Sequence, residues 1–496
     1  MDVIELSRIQ FGLTAMYHFI FVPLSIGLML LIAILETFYI VTKNRLWQSI
    51  AIFWSKFFVM NWVFGILTGI PLRLQLADNW ANYSAYIESV SRELFAIEAY
   101  IAPFLFGLVF LFAIGWRRFN PYFHWLISCL LALILSVQGI TILTLNAWMM
   151  NPVGVEFMSE NVKLVSLLEV FLNPILINKV AHSLFSAYLL GSVFVIAISA
   201  WFLLKKESIQ AARTSLNLGI ILGFVMIIAT MISGHKHGDD VSHYQPMKFA
   251  AIEAIWNQAP SPAPLILFSV PDTETQTNHY TVQIPYLLGL MITHSWNKTI
   301  PGIQELVEEG KQRIRDGLLA YRAMQQPDDP QMQQVFETHK NYLGYAMLLQ
   351  AHIKQIENAT EEHITQAAHD LVPNVPLLFW SFRIMFGCGL ILFLLCLLGL
   401  VIYLKNASYN RGFLLFALCS LPLPWIGTYA GWLLTETGRQ PWTVVGMLPT
   451  LNSGGHLDPH TVLVTLMFFV TAYTALFILY VFLNIKYINN GFIKAS

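Results

Sequence analysis

The chain has 496 residues, of which 56% are hydrophobic and 11% are charged, and its formal net charge is −1. Its mean hydropathy of +0.59 excludes it from the soluble globular proteins and is typical of polytopic membrane proteins. A charge balance so close to zero gives no indication of nucleic-acid binding. The first residues, MDVIELSRIQ, lack the basic start and the cleavage site of a signal peptide, so we expect the first helix to be retained.

Apolar runs of roughly 20 residues, the length that a helix needs to cross a bilayer, occur nine times along the chain. They predict an all-α polytopic membrane protein with nine transmembrane helices. We find no internal repeat and expect no helix that is broken within the membrane. The runs are residues 13–41, 52–74, 94–116, 123–149, 180–204, 216–233, 375–404, 413–435 and 462–485.

Basic residues follow every second run, whereas the other short connections are poor in them or contain acids. The positive-inside rule places basic connections in the cytoplasm, so the N-terminus is predicted outside and the C-terminus in the cytoplasm. The basic positions are Lys43, Arg45, Arg117, Arg118, Lys205, Lys206, Arg213, Lys405, Arg411 and Lys486.

One connection is much longer than the rest and divides the chain into residues 1–233, 234–373 and 374–496. It lies on the predicted outer side between the sixth and seventh helices, and loops of this length are usually functional. Its first part carries Lys248 and Glu253 on a predicted helix. In isolation the two would be read as a solvated surface helix. The alternative is a site for a polar headgroup that loses protons, where the ammonium holds an oxygen and the carboxylate accepts a proton.

Ligand-type or charged side chains occur at a common depth, in the outer half of five predicted helices. Haem iron accepts imidazole, thioether and carboxylate ligands, and ionisable groups inside a membrane are functional candidates. A lone membrane histidine is more often hydrogen-bonded at the interface, and a lone methionine is usually a packing residue. Only the shared depth favours function. The residues are His18, Glu98, His182, Arg383 with Met385, and Glu436.

The segment GWLLTETGRQPW, which ends the eighth run, is dense in polar groups for a membrane boundary. Arg439 and Gln440 offer donors suited to carboxylates, beside Glu436. Other ionisable residues are interpreted as structural. His124 is expected to be solvated at a helix start, and His235, His237 and His243 are expected to be solvated in the long connection.

Nine segments along the chain match a known family. They are ELSRIQFGLTAMYHF, LFAIEAY, NAWMMNP, LNPILINKVAHSL, KFAAIEAIW, SFRIMFGCG, LPLPWI, GWLLTETGRQPW and PAPLILFSVPDTETQTNHYTVQIPYLLG. The chain resembles subunit I of the cytochrome bd quinol oxidases over essentially its whole length, and the long connection is similar to the long-loop, or L-type, class. The resemblance implies nine helices, three haems and a periplasmic loop that oxidises quinol, called the Q-loop.

The resemblance implies a role for each matching residue. His182 and Met385 match the axial ligands of a low-spin haem b, and Arg383 matches an arginine that holds its charge. His18 and Glu436 match the axial ligands of two high-spin haems, a second haem b and a haem d, in an order that stays open. The remaining matches are Glu98 beside the oxygen-reducing haem, Trp432 between haems, Lys248 and Glu253 at the quinol site, and Arg439, Gln440 and Trp442 in the cofactor-binding segment.

Two positions depart from many relatives in the proton path, because a carboxylate is replaced by Phe106 and a serine by Gln138. A b-type haem in place of haem d also stays open. The resemblance implies the catalytic subunit of a quinol:O2 oxidoreductase in a bacterial cytoplasmic (inner) membrane, which builds a proton motive force without pumping. It further implies a heterodimer with subunit II and leaves room for a small single-helix subunit.

Two other classes of protein remain as alternatives from the residues themselves. A secondary transporter could use buried Glu, His and Arg as a relay, although such proteins usually show repeated halves and broken helices. A cytochrome b that only passes electrons to a partner would need the low-spin haem alone.

Overall fold

The protein is described here from a computed structural model, which covers residues 2–158 and 161–492; residues 1, 159, 160 and 493–496 lie outside the described part. Within those ranges nine helical spans are long and apolar enough to cross a membrane, which confirms the predicted fold class. The spans are α1–α2 (Val3–Phe19 and Val22–Thr42), α3 (Arg45–Asp78), α5 (Glu88–Gly115), α6 (Pro121–Met150), α8 (Leu176–Lys205), α9 (Ile209–Tyr244), α16 (Val375–Leu404), α17–α18 (Arg411–Cys419 and Leu423–Thr437) and α19 (Pro459–Ile488).

Short elements connect the spans, and most belong to the long connection between α9 and α16. The helices outside it are α4 (Ala81–Tyr86) and α7 (Leu167–Phe171), and its own are α10 (Pro246–Glu253), α11 (Leu287–Thr293), α12 (Ile303–Met324), α13 (Pro330–His339), α14 (Leu343–Met347) and α15 (Glu361–His369). Three antiparallel two-stranded pairs are β1 (Val155–Phe157) with β2 (Val162–Leu164), β3 (Leu265–Asp272) with β4 (Thr277–Ile284), and β5 (Trp442–Val444) with β6 (Leu448–Pro449).

Helix α8 lies at the centre of the bundle, and α19 lies at its edge. The most apolar window of α8 is 78% buried, whereas that of α19 is 11% buried. The backbones of α2 and α8 approach closely at Gly27 and Gly191, because a Cβ atom at Gly27 would lie 2.3 Å from the carbonyl oxygen of Ala187. Small residues permit such close contacts. Membrane helices depend on them because no hydrophobic effect drives helices together within lipid.

The first and the eighth spans are each broken into two helices, so the expectation of unbroken helices is wrong. Side chains from other spans donate to the backbone carbonyls at the break after α1, although the Phe21 carbonyl oxygen also accepts from the Ser25 amide at 2.9 Å. The indole Nε1 of Trp425 donates to the Ile20 carbonyl oxygen at 3.0 Å, and the amide Nδ2 of Asn61 donates to that of Phe21 at 2.6 Å. Non-helical backbone is tolerated at membrane depth only with such partners.

Helix α9 is longer than the apolar run that predicts it, because it continues from residue 233 to Tyr244. The expectation that His235 and His237 are solvated loop residues is therefore wrong: both are partly buried on this helical extension, and Nδ1 of His237 lies 4.0 Å from the Asp240 carboxylate. His243 is exposed, as expected. The sequence does not reveal this extension, because its residues are polar and show no apolar periodicity. Packing against neighbouring elements supports the helix there.

The long connection packs as a compact unit on one end of the bundle, which we call the loop end. Its apolar core joins α10, α12, α14 and α15 to the first turns of α16 and to Leu434 and Trp442. Helix α12 contributes an apolar face that includes Ile314 and Leu318. The hairpin of β3 and β4 lies beside α16, where the ring of Phe268 contacts that of Trp380 edge to face, with 5.2 Å between ring centroids.

At the opposite end of the bundle, three polar side chains form a buried cluster between α2 and α6. Nδ1 of His124 lies 2.8 Å from the Glu36 carboxylate, and the hydroxyl of Ser128 donates to the other carboxylate oxygen at 2.5 Å. The expectation of a solvated His124 is wrong, since His124 is 3% exposed and Glu36 is 2% exposed. The sequence places them 88 residues apart, so only the packing of the two spans reveals the pair.

We expect His124→Leu to destabilise the protein strongly, because it leaves the Glu36 carboxylate buried with one hydrogen bond. Breaking a buried ion pair from one side typically costs about 3–5 kcal/mol, whereas replacing both partners by apolar residues is often nearly neutral. The thermal unfolding midpoint of His124→Leu should therefore fall well below that of the Glu36→Leu, His124→Leu double variant. Equal midpoints for the single and the double variant would show that the pair is not coupled.

Candidate functional site at the loop end of the bundle

The carboxylate of Glu436, in the last turn of α18, is held from two sides. Nη2 of Arg439 donates to one oxygen at 2.5 Å, and Nδ2 of Asn146, from α6, donates to the other at 2.9 Å. Arg439 is 9% exposed, and its Nε and Nη1 atoms are buried without a protein partner. An unpartnered guanidinium in such a place indicates that an anionic group belongs there.

Two buried lysines surround the same carboxylate. Lys179 on α8 is 5% exposed and donates to the sulfur of Met150 at 3.1 Å. Lys248 on α10 is 4% exposed and donates to the Thr435 carbonyl oxygen at 3.1 Å. Three cations therefore share one carboxylate at the loop end. Pairing stabilises buried charge, and a ligand that carries negative charge would supply such a pair here.

His182 lies on α8 with one ring nitrogen fixed and the other available. Its Nδ1 lies 3.0 Å from the Thr230 carbonyl oxygen of α9, and a carbonyl can only accept, so Nδ1 carries the proton. The Nε2 lone pair is then free for a metal, which is how second-sphere bonds set the tautomer of a ligating histidine. Gly234 makes room for this ring, because a Cβ atom there would lie 2.9 Å from the His182 Cε1 atom.

Met385 on α16 points its sulfur at a glycine of α18. A Cβ atom at Gly431 would lie 2.8 Å from the Met385 sulfur, so no other residue type fits without movement. The next residue along, Trp432, contacts the ring of Phe19 at the end of α1, with 6.0 Å between ring centroids. These contacts connect α16, α18 and α1 within about one helical turn.

His18 ends α1 just before the break in the first span. Its Nδ1 lies 3.2 Å from the Thr68 hydroxyl oxygen, and that hydroxyl donates to the Phe64 carbonyl oxygen at 2.9 Å. The hydroxyl proton is thereby used, so Nδ1 of His18 donates and its Nε2 lone pair is free, as in His182. Gly69 makes room for this ring, because a Cβ atom there would lie 2.9 Å from the His18 Cε1 atom.

Arg383 and Glu253 form the second buried ion pair of the loop end, at 3.0 Å between Nη2 and Oε2. Arg383 also donates to the carbonyl oxygens of Ile252 and Ile266, at 2.8 and 2.6 Å, and it thereby fixes α10 and β3 of the long connection onto α16. The interpretation of α10 as a solvated helix is excluded, since both Lys248 and Glu253 are buried. The partner of Glu253 is Arg383 rather than Lys248.

The two titratable residues of α10 have shifted pKa values with a common cause. Burial raises the pKa of Glu253 above its ordinary value of 4.5, and the neighbouring Arg383 opposes this effect. Burial lowers the pKa of Lys248 from 10.5 to about 8, against the attraction of Glu436. A carboxylate with a raised pKa and an amine with a lowered pKa exchange protons closer to neutral pH, which suits proton-transfer chemistry.

Glu98 on α5 is 8% exposed and forms an ion pair with Arg73 on α3. The guanidinium of Arg73 also stacks over the ring of Phe95, 3.9 Å from its centroid. The sequence reasoning missed Arg73, together with Lys179 and Asn146. Arg73 could have been found, because a cation within a predicted span is rare enough to require a partner, whereas Lys179 lies one residue before the fifth predicted run.

Two further residues of the segment after α18 have packing or hydrogen-bonding contacts with protein. Trp442 is buried against Tyr345 of α14, edge to face with 5.0 Å between ring centroids. The carbonyl oxygen of the Gln440 side chain accepts a hydrogen bond from the Thr450 hydroxyl at 3.0 Å. The Trp442 contact fixes the segment against the long connection, and the Gln440 contact closes the segment on itself, so that Glu436 and Arg439 keep their positions.

Comparison with known proteins identifies the family of this chain. The sequence model of the family described as Cytochrome bd terminal oxidase subunit I matches residues 6–492. The chain belongs to this family. Cytochrome bd-II ubiquinol oxidase subunit 1 of Escherichia coli (strain K12) is 38% identical over 99% of this chain and 97% of the relative. Cytochrome bd ubiquinol oxidase subunit 1 of Bacillus subtilis (strain 168) is 29% identical over 99% and 94%.

The fold is also that of a solved cytochrome bd oxidase. The structure of bd oxidase from Geobacillus thermodenitrificans superposes with a TM-score of 0.79 at 24% identity, over 99% of both chains. The chain is therefore a subunit of a haem-containing terminal respiratory oxidase with quinol:O2 oxidoreductase activity. Family membership decides against a transporter and against a cytochrome that only passes electrons.

The residues of the loop end fit haem in charge and in ligand chemistry. Haem carries two carboxylates and accepts axial imidazole, thioether or carboxylate ligands. The positive charges of Lys179, Lys248 and Arg439 outnumber the negative charge of Glu436 beside them. The free Nε2 lone pairs of His182 and His18 are imidazole ligands of the type that haem iron binds. An ion pair that served only stability would leave no such excess of positive charge.

Proposed function

We propose that the loop end faces the periplasm of a bacterial cytoplasmic membrane and oxidises quinol within the Q-loop, residues 234–373. Oxygen is reduced to water at haem sites near the same end, with protons drawn from the cytoplasm. Release of protons on one side and uptake on the other builds a proton motive force without a pump. The orientation follows from the basic connections after alternate spans.

The single observation that supports the quinol site best is the buried Glu253–Arg383 pair. A quinol must lose protons as it loses electrons, and Glu253 has a raised pKa that prepares it to accept one. Arg383 holds this carboxylate at 3.0 Å, and the ammonium of Lys248 provides a donor for the second quinol oxygen. Arg383 lies two residues before Met385, so the proton acceptor and a proposed haem ligand meet on one helix.

The proposed cofactors are a low-spin haem b, a high-spin haem b and a haem d or a third b-type haem; when bound, they carry electrons from quinol to oxygen. His182 and Met385 would hold the low-spin haem, and His18 and Glu436 would each hold one of the high-spin haems. Trp432 would separate haems. Arg439 and Lys179 would neutralise haem carboxylates, while Gln440 and Trp442 keep the segment around Arg439 in place.

Proton supply to the oxygen site is proposed to end at Glu98, whose carboxylate is held in place by Arg73 and would accept and pass on a proton. The usual relay is interrupted at Phe106, which is 49% exposed and packs edge to face on Trp62. Gln138 with ordered water, or a route through a partner subunit, would replace it. The exposed position of Phe106 favours the partner, because such a surface is one that a second subunit would cover.

The oxidase is proposed to be a heterodimer with subunit II, with room for a small single-helix subunit. The relatives are named as subunit 1 of their enzymes, which supports a second chain. The spans α5, α6 and α19 are 28%, 33% and 11% buried in their most apolar windows, so large apolar faces remain for lipid or for a partner.

The low-spin site can be tested through the sulfur of Met385. Met385→Leu should remove the low-spin haem signal from the absorbance spectrum, because leucine offers no ligand, while the high-spin signals persist. Gly431→Ala should perturb the same signal, because its Cβ would lie 2.8 Å from that sulfur. Gly387→Ala is the matched control on α16, since a Cβ there meets nothing within 4 Å. A normal low-spin spectrum in Met385→Leu would refute the ligand assignment.

The quinol site can be tested by separating the two half-reactions. Glu253→Gln should slow quinol oxidation by roughly 10²–10⁴-fold, the range for loss of a general base, while the pre-reduced enzyme reacts with oxygen normally. Both rates are measured on the same preparation, by steady-state turnover and by stopped flow. A parallel loss of both half-reactions would mean that the variant is structurally damaged and that the assignment fails.

The pH dependence of quinol oxidation should reflect the raised pKa of Glu253. Only the ionised carboxylate accepts a proton, so the rate should fall as the pH falls through this pKa, which lies above 4.5. Arg383→Gln should move this acid limb to higher pH, because the charge that favours the carboxylate is removed. Lys248→Gln should lower the rate without moving the limb. An acid limb that moves in Lys248→Gln and not in Arg383→Gln would contradict the pairing.

Glu98→Gln should reduce oxygen consumption by about an order of magnitude or more, because an amide cannot exchange the proton that the carboxylate transfers. Phe106→Glu should change the rate little if the working path lies elsewhere. Oxygen uptake and the haem spectrum are measured together. Normal oxygen uptake in Glu98→Gln with all haems bound would show that Glu98 is not in the path.

A further inference from the structure

The hairpin of β3 and β4 exposes an apolar surface in the part of the protein that borders the membrane. Six side chains on its strands and two beyond them are 39–84% exposed, and none is charged. They are Leu267, Phe268, Val270, Tyr280, Val282, Ile284, Tyr286 and Trp296, which we call the hairpin patch. Contiguous exposed apolar surface of this kind marks an interaction site.

The strands of the patch carry no charge except Asp272, the last residue of β3 at the turn. Residues 259–271 and 275–297 contain no Asp, Glu, Lys or Arg, whereas the turn between the strands carries Asp272 and Glu274. A hairpin that stood free in water would have no reason to keep both strands uncharged, since exposed strands normally carry charge against edge pairing. Apolar strands with a charged tip predict a hairpin whose base lies in apolar surroundings and whose tip lies in water.

The base of the hairpin lies at the membrane boundary, as its contacts with α16 show. Arg383 donates to the Ile266 carbonyl oxygen at 2.6 Å, and residues 384–404 after it form an uncharged run of spanning length. Arg383 therefore lies near the loop-end boundary of the hydrocarbon. Phe268 contacts Trp380, about one helical turn nearer the loop end. Val282 pairs directly with Phe268 across the strands, so it lies at the same level.

The patch is continuous with the lipid-facing surface of α16. Leu377, Ile384 and Phe386 of that helix are 38–51% exposed, and the Phe268–Trp380 contact joins them to the hairpin. The patch is also rich in tyrosine and tryptophan, with the rings of Tyr286 and Trp296 6.3 Å apart between centroids. These residue types prefer the headgroup layer, where an apolar ring and a polar tip are both accommodated.

We propose that the hairpin patch lies in the lipid headgroup layer at the loop end, with the turn at Glu274 projecting into water. The strands rise about 3.3 Å per residue, so the turn lies roughly 15–20 Å beyond Phe268, outside a headgroup layer some 5–8 Å thick. The placement rests on contacts of the hairpin with α16 and does not depend on the quinol chemistry proposed above. It does mean that the Glu253–Arg383 pair, behind β3, borders lipid rather than bulk water.

The test is the depth of spin labels on the hairpin in the assembled oxidase, reconstituted in lipid nanodiscs. Labels are attached at Val282→Cys and Trp296→Cys in the patch and at Glu274→Cys in the turn, in a Cys129→Ser, Cys419→Ser background that leaves only the buried Cys388 and Cys396. Collision rates are measured with molecular oxygen, which concentrates in lipid, and with a water-soluble nickel chelate. A normal haem spectrum in each labelled variant shows that the protein is intact.

We expect oxygen to be the stronger relaxing agent at Val282→Cys and Trp296→Cys, and the nickel chelate at Glu274→Cys. Stronger relaxation by nickel at all three positions would overturn the proposal, because the patch would then face water. Protection of the two patch labels from both reagents would also overturn it, because a partner subunit or a second copy would then cover the patch.

Discussion

Burial of charge is the constraint on which the rest of this structure depends. Ionised groups are expensive in apolar surroundings unless they are paired, and four buried or largely buried glutamates in the described part of the chain have a cationic or imidazole partner. Each pair joins elements that are distant in sequence or closes the end of a span. The pairs are Glu36–His124, Glu98–Arg73, Glu253–Arg383 and Glu436–Arg439.

The loop end differs from the other pairs because its charges do not balance. Lys179 and Lys248 add two cations beside the Glu436–Arg439 pair, and part of the Arg439 guanidinium has no protein partner. A fold that only needed stability would not keep these groups, since apolar residues would pack there at lower cost. The imbalance is what a cofactor with its own carboxylates would correct, and it is the reason why we propose the functional site at this end.

The broken spans provide the geometry that the charges alone cannot. The break in the first span leaves His18 in the last turn of α1, and the break in the eighth span directs α18 so that Trp425 and Tyr429 donate to carbonyl oxygens of residues 20 and 16. The two interrupted helices therefore support each other. Glycines then make space for the candidate ligands, with Gly431 at the Met385 sulfur and Gly234 at the His182 ring.

Hydropathy determined the nine spans from the sequence alone, because a bilayer requires about 20 apolar residues wherever the chain crosses it. The depth of His18, His182, Met385 and Glu436 followed from the same runs. The partners of the charged groups could not be predicted from the sequence. Arg383 and Glu253 lie 130 residues apart, and they pair only because the long connection folds back onto α16. For the same reason only the packed structure showed that His124 is buried and that Glu253 is paired with Arg383 rather than Lys248.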